Sequence, residues 1–125
     1  MLRNLCLAML TVSSLGAQAQ DATKTDGDKY KVLLDNEHVR VLEYRDLPGT
    51  TTHQHSHPAF VLYAMAPFKR KLLLPDGRVL MREFKAGDVI YSGPETHIGE
   101  NVGATPTHVI MVEMKSNATI GDARN

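Results

Sequence analysis

The chain has 125 residues, 14 basic and 14 acidic side chains, a formal net charge of zero, six histidines and a single cysteine. That balance provides no basic stripe for nucleic acid or for an anionic membrane surface, and one cysteine excludes an internal disulfide framework. Roughly a hundred residues suffice for one core and one domain, which packing alone must stabilise.

Residues 1–19 stand apart. MLRN carries one positive charge, on Arg3, and LCLAMLTVSSL follows as an apolar run too short to cross a bilayer. Small residues at Ala17 and Ala19 complete the order of a secretory signal peptide cut after Ala19, so a periplasmic or secreted location is expected. Cleavage would remove Cys6 and leave 13 basic residues (14 less Arg3) against 14 acidic ones. No second apolar run follows, so no membrane partner is expected.

Residues 20–29, QDATKTDGDK, are polar and read as a loose lead-in with room for a small helix. From Tyr30 the pattern changes to short apolar-alternating runs between turn signals. YKVLLD and HVRVLEYRDL lead to Pro48-Gly49, TTTHQHSH to Pro58, and AFVLYAM and FKRKLLL to Pro75-Asp76-Gly77. RVLMREF, DVIYS and THVIMVEM complete the series. Turns every 8–12 residues and the lack of any long 3.6-residue period predict an all-β, single-domain antiparallel sandwich or jelly-roll barrel over residues 30–116. Pro-Asp-Gly marks a hairpin inside LLLPDGRVL. Residues 117–125 read as a polar tail.

The chemistry concentrates in TTHQHSHPAF, residues 51–60, where His53, His55 and His57 alternate. In an extended segment the three imidazoles share one face. Neutral imidazole is the commonest metal ligand, and neighbouring imidazoles disfavour one another's protonation. Zinc or non-haem iron needs at least three protein ligands from segments that meet in space. His97, His38 and His108 are the candidates to complete such a site. Arg82 alternates with Leu80 and Phe84 and can hold an anionic substrate if it faces inward. Tyr63 and Tyr91 are further substrate-binding candidates, and Glu95 and Glu100 flank His97.

These residues carry a resemblance to the cupin superfamily of small β-barrels. Gly49, then TTTHQ, then His55-Ser56-His57 is similar to the opening of the first cupin motif, and Gly87-Asp88 through His97 and Asn101 is similar to the second. The resemblance covers residues 38–114 and implies that His55, His57 and His97 are metal ligands. The chain departs from the family pattern in two places. Val61 and Leu62 stand where the first motif has its glutamate, and the second motif is one residue short, with Gly93-Pro94 in place of Pro-x-Gly. His53 is then a fourth ligand, a hydrogen-bond partner of a ligand, a proton carrier, or a residue in water at the barrel mouth, and Asn101 fixes a loop or joins the site.

A three-histidine shell implies a divalent ion, Fe, Zn, Mn or Ni. Some cupins with such a shell are dioxygenases of small diketones or thiols. A metal-dependent oxygenase or isomerase of a small polar molecule is one expectation. A non-catalytic barrel that binds metal or a small ligand in the periplasm is the alternative, and a structural jelly-roll with relic histidines is a third. The resemblance also implies a homodimer, and nothing in the charge pattern calls for nucleic acid.

Overall fold

A computed structural model describes residues 20–116; the expected signal peptide, Cys6 and the tail lie outside that range. Nine strands alternate along the chain after one short helix. These are α1 (Ala22–Thr25), β1 (Tyr30–Asp35), β2 (Val39–Asp46), β3 (His55–His57), β4 (Phe60–Ala64), β5 (Phe68–Leu73), β6 (Val79–Phe84), β7 (Val89–Ser92), β8 (Glu95–Asn101) and β9 (Thr107–Met114). All strand pairs are antiparallel and form two sheets, in the orders β1-β2-β9-β4-β7 and β3-β8-β5-β6.

Two-residue alternation decides what each strand buries. In β9, Thr107, Val109, Met111 and Glu113 point inward; in β2, Leu42, Tyr44 and Asp46 do. Phe60 and Ala64 of β4, and Phe68 and Leu72 of β5, supply apolar surface from the two facing sheets. Full burial of a side chain such as Phe60 or Leu42 stabilises by roughly 1.5–3 kcal/mol. The β5–β6 hairpin turns at Pro75-Asp76-Gly77, where Gly77 takes φ +87° and its N–H donates to the Leu74 carbonyl at 3.0 Å. A side chain there would be strained, which is why the turn needs glycine.

The two sheets leave two seams, and the chain treats them differently. Residues 20–29, expected as a loose lead-in, are ordered and close the seam between β1 and β3. Asp21 caps α1 by accepting from the Thr23 N–H at 2.8 Å. The Ser56 N–H of β3 donates to the Gln20 carbonyl at 2.7 Å, and Arg40 of β2 grips Asp21 at 2.7 Å. Asp26 is buried and accepts from the His53 backbone N–H at 3.2 Å. The polar composition of this segment therefore reflects capping and ion pairing across strands at Asp21 and Asp26 as well as solvation at Lys24 and Asp28. At the other seam β6 and β7 are joined by a turn, and no strand pairing links them among the described residues.

Below the core lies a buried polar cluster. Arg70 of β5 donates to Asp46 at 2.9 Å and to the Tyr44 hydroxyl at 3.0 Å, with its guanidinium 4.8 Å from the Tyr44 ring centroid. Asn101 also donates to Asp46, at 3.0 Å. Gly99 makes room for this guanidinium: a Cβ at that position would lie 2.5 Å from Arg70 Nη2. An exposed arginine would swing away, but Arg70 is held by Asp46 and Tyr44. Gly99→Ala is therefore expected to destabilise the protein by about 3 kcal/mol, because displacing Arg70 leaves Asp46 buried without its counter-charge. Urea unfolding checks this; a change below about 0.5 kcal/mol would show that Arg70 relaxes freely.

Candidate metal centre

Pairing between β3 and β8 builds the site. His55 lies directly opposite His97 in the antiparallel register, and His57 lies opposite Glu95. Alternation then places His55 and His57 on the inner face of β3, while Ser56 turns away to meet Thr96 at 2.6 Å. His55, His57 and His97 are all buried, and one ring nitrogen from each lies within 4.8 Å of the other two. The rings meet edge to face, with centroids 4.9 Å apart for His55 and His57 and 4.7 Å for His55 and His97.

Each imidazole meets an acceptor through its Nδ1. His55 Nδ1 donates to the His53 carbonyl at 2.8 Å, with Asp26 Oδ2 at 3.7 Å. His57 Nδ1 donates to Glu113 Oε1 at 2.8 Å. His97 Nδ1 sits 2.6 Å from Glu95 Oε1, off the line of a well-formed hydrogen bond. Such partners fix the proton on Nδ1 and leave Nε2 with its lone pair, the arrangement behind most metal-bound histidines. The carboxylates have cations behind them in turn. Lys29 lies 3.6 Å from Asp26, Arg40 2.7 Å from Glu113 and Arg82 3.2 Å from Glu95.

Electrostatics disfavour protonation of His55 and His97. Burial, then the neighbouring His57 and His97, push the His55 imidazole down to about 4. Burial also lowers His97, though Glu95 pulls it partly back. Burial would raise the Glu95 carboxyl, but His97, Ser92 and Arg82 outweigh it and hold it at about 2. Burial drives Tyr30 well above the usual phenol range, so it is a neutral hydroxyl.

His57 and His97 form part of the wall of a cavity whose volume, traced by the centre of a water-sized sphere, is about 40 Å³. That is room for about three waters. Phe60, Leu62, Phe68 and Met111 line it with His57 and His97, and Tyr30, Tyr44 and Arg70 add polar groups. Arg82 and Phe84 line both this cavity and a shallow basin outside it, between β6 and β7.

The remaining residues singled out by sequence fall in different places. The His53 ring is largely exposed and lies 3.1 Å from Asp26, outside the cluster; only its carbonyl touches the site. Asn101 holds the loop after β8, donating to the Thr105 carbonyl at 3.0 Å and accepting from the Gly103 N–H at 3.1 Å. Arg82 faces inward, but both its terminal nitrogens are engaged with Glu95. Tyr63 and Tyr91 are exposed, at 44% and 68%, on the outer faces of their strands. Leu62 turns its side chain to the cavity, and Glu100 pairs with Lys71 at 2.6 Å. His38 is exposed beside Glu37, and His108 pairs with Glu43. Sequence reasoning missed Tyr30, Asp26 and Glu113. The alternation of THVIMVEM was the available signal for Glu113, since it shares a face with Val109 and Met111.

Two antiparallel sheets wrapped around a buried histidine wall make a double-stranded β-helix, and the protein is a single small domain with the cupin fold. The comparisons bear this out at the level of structure. A cupin domain from Bordetella pertussis matches over 81% of this chain and all of its own, with a TM-score of 0.65 and 25% identity. A double-stranded β-helix protein from Klebsiella pneumoniae matches over 83% of this chain and 95% of its own, with a TM-score of 0.57 and 20% identity. An oxalate decarboxylase from B. subtilis matches over 67% of this chain but only 23% of its own, with a TM-score of 0.51 and 16% identity. No family model and no curated protein matches the sequence. The fold and the three clustered histidines together point to a metal-binding cupin.

Two outcomes are expected. In metal-free protein the unfolded chain takes up a proton on His55 below about pH 6.5, whereas the folded chain waits until about 4. Stability should therefore fall between those values, by up to about 1.4 kcal/mol per pH unit for each such proton. The Glu95 contribution is lost only further down, towards its depressed value of about 2. Urea midpoints measured with a chelator present should decline over this window and flatten in His55→Gln; equal slopes in the two proteins would refute the assignment. Separately, Glu113→Gln keeps an acceptor for His57 but loses the charge that pairs Arg40, so it should lower stability and weaken Zn(II) binding of the folded protein roughly 10- to 100-fold, as urea unfolding and titration calorimetry would show.

Proposed function

We propose that this protein is an exported divalent-metal cupin in which His55, His57 and His97 hold the ion and a small polar molecule occupies the adjoining cavity. One observation carries the reading: three buried imidazoles, each with an acceptor at Nδ1, bring one ring nitrogen apiece within 4.8 Å of one another beside a cavity. Neutral nitrogen donors suit Fe, Zn, Mn or Ni. Three protein ligands leave positions open, whereas a structural site is closed by four. Bound there, the ion would supply Lewis-acid or redox chemistry of the kind an oxygenase or isomerase uses.

The chain's own groups would do the rest. Phe60, Leu62, Phe68 and Met111 limit the cavity to a few heavy atoms and give it an apolar lining. Arg82, held by Glu95 at the edge of the cavity, can exchange that partner for the carboxylate of an incoming anion. Asp26, Glu113 and Glu95 increase the donor strength of the histidines and place negative charge around them. The cavity's small volume favours a second reading, a barrel that holds metal without turnover. The leader-like order of residues 1–19 supports export, and the family's habits together with the exposed edge strand β1 support a homodimer.

Metal analysis of protein purified from the export compartment tests the central claim. Close to one equivalent of Fe, Zn, Mn or Ni per chain is expected, lost in His97→Ala. Metal-free protein should also gain thermal stability on adding one of these ions. A native protein with no metal and no such gain would sink the proposal. Oxygen uptake or carbonyl turnover by the loaded protein would separate the catalytic reading from the binding one.

A further inference from the structure

The sequence offers Tyr30 only as the first residue of a strand, yet the structure places it against the histidines. Its ring is buried, 5.8 Å from the His55 centroid and 5.9 Å from that of His57, and it lines the same cavity as His57 and His97. Tyr44 packs on its other side with centroids 4.6 Å apart, which fixes the ring. The Tyr30 hydroxyl lies 3.3 Å from His55 Nε2, its one hydrogen-bond partner among the described residues. Since His55 Nδ1 carries the proton given to the His53 carbonyl, Nε2 is the acceptor and the phenol is the donor.

This bond and metal binding compete for one lone pair. Once Nε2 is committed to an ion, the hydroxyl loses its acceptor, and a buried hydroxyl is unfavourable to leave unpaired. The backbone and Tyr44 hold the ring where it is, so the donor still faces the histidine cluster. The cavity walls around it are mainly apolar. The group that completes the ion's shell lies in the same cavity and can supply the new acceptor.

We infer that Tyr30 is a further binding residue of the site, whose hydroxyl donates a hydrogen bond to a small anion or oxygen-bearing ligand at the open position of the ion. The inference rests on the metal-binding reading above. It assigns the site a preference for ligands that accept a hydrogen bond beside the metal-bound atom, and it distinguishes Tyr30 from the exposed Tyr63 and Tyr91.

The test uses metal-free full-length protein loaded with Co(II), then titrated with azide while the visible spectrum is followed. In Tyr30→Phe, Co(II) should bind within about 3-fold of the parent, and azide should bind about 10-fold more weakly, as expected for loss of one hydrogen bond to a charged acceptor. Tyr91→Phe should match the parent in both. The melting temperature of metal-free Tyr30→Phe reports whether the ring keeps its packing. If it does not, the antisymmetric azide stretch of the parent's Co(II) adduct, recorded in H2O and in D2O, gives the answer: an isotope shift marks an exchangeable donor on the azide, and no shift overturns the inference. Equal azide affinity in parent and Tyr30→Phe overturns the inference. So does a loss of Co(II) affinity of about 100-fold, which would make Tyr30 a ligand to the ion instead. If the parent takes up no Co(II), the metal-binding reading falls, and this inference falls with it.

Discussion

The contact on which most of this structure depends is the ion-paired chain from Asp21 through Arg40 and Glu113 to His57. Arg40 lies 2.7 Å from carboxylate oxygens of both Asp21 and Glu113, and Glu113 accepts from His57 at 2.8 Å. Four segments meet there: the cap of α1, strands β2 and β9 of the larger sheet, and β3 of the smaller one. Burying Glu113 without Arg40 would leave an unpaired charge in the core, which is strongly destabilising. Each member is thus needed by the next, and the result is a fixed orientation for one ring of the histidine cluster. Because β3 is only three residues long, its own strand pairing does little to hold it, and this side-chain chain compensates.

The same logic recurs at each histidine. Asp26, Glu113 and Glu95 stand behind His55, His57 and His97, and each is backed by a cation. The barrel keeps its carboxylates one step removed from the cluster, in positions where they orient imidazoles and balance charge. Leu62, at one of the two positions where the family motif has its glutamate, instead adds to the apolar wall. Such an arrangement keeps donor strength high, and the one carboxylate among the residues lining the cavity, Glu95, is balanced by Arg82.

Much of the fold was legible in the sequence because its signals are local. Two-residue alternation marked the strands, and Pro-Asp-Gly marked the hairpin. The spacing from Gly49 singled out His55 and His57, and the span to Asn101 singled out His97, because such motifs encode strand and turn geometry in consecutive residues. What sequence reasoning missed depends on contacts between distant segments. Asp26 and Tyr30 sit in or next to a polar stretch that looks solvated until β3 is placed beside it. Tyr63 and Tyr91 looked like equals of any other strand tyrosine, because alternation gives two faces but does not label which one is inside. Glu113 is the intermediate case: its face could be read from THVIMVEM, but its partner 56 residues away could not.

The unequal seams of the barrel have a consequence for motion. The edge between β1 and β3 is clamped by the residues around α1, whereas among the described residues β6 and β7 meet without pairing. Breathing of the two sheets should therefore behave like a book bound along one side. Amides bordering the β6–β7 margin would exchange with solvent through brief local openings, while those of β3 would exchange only when much of the domain unfolds. His55 and His57 lie along the spine of that book, so their nitrogens should keep their spacing while the opposite margin opens.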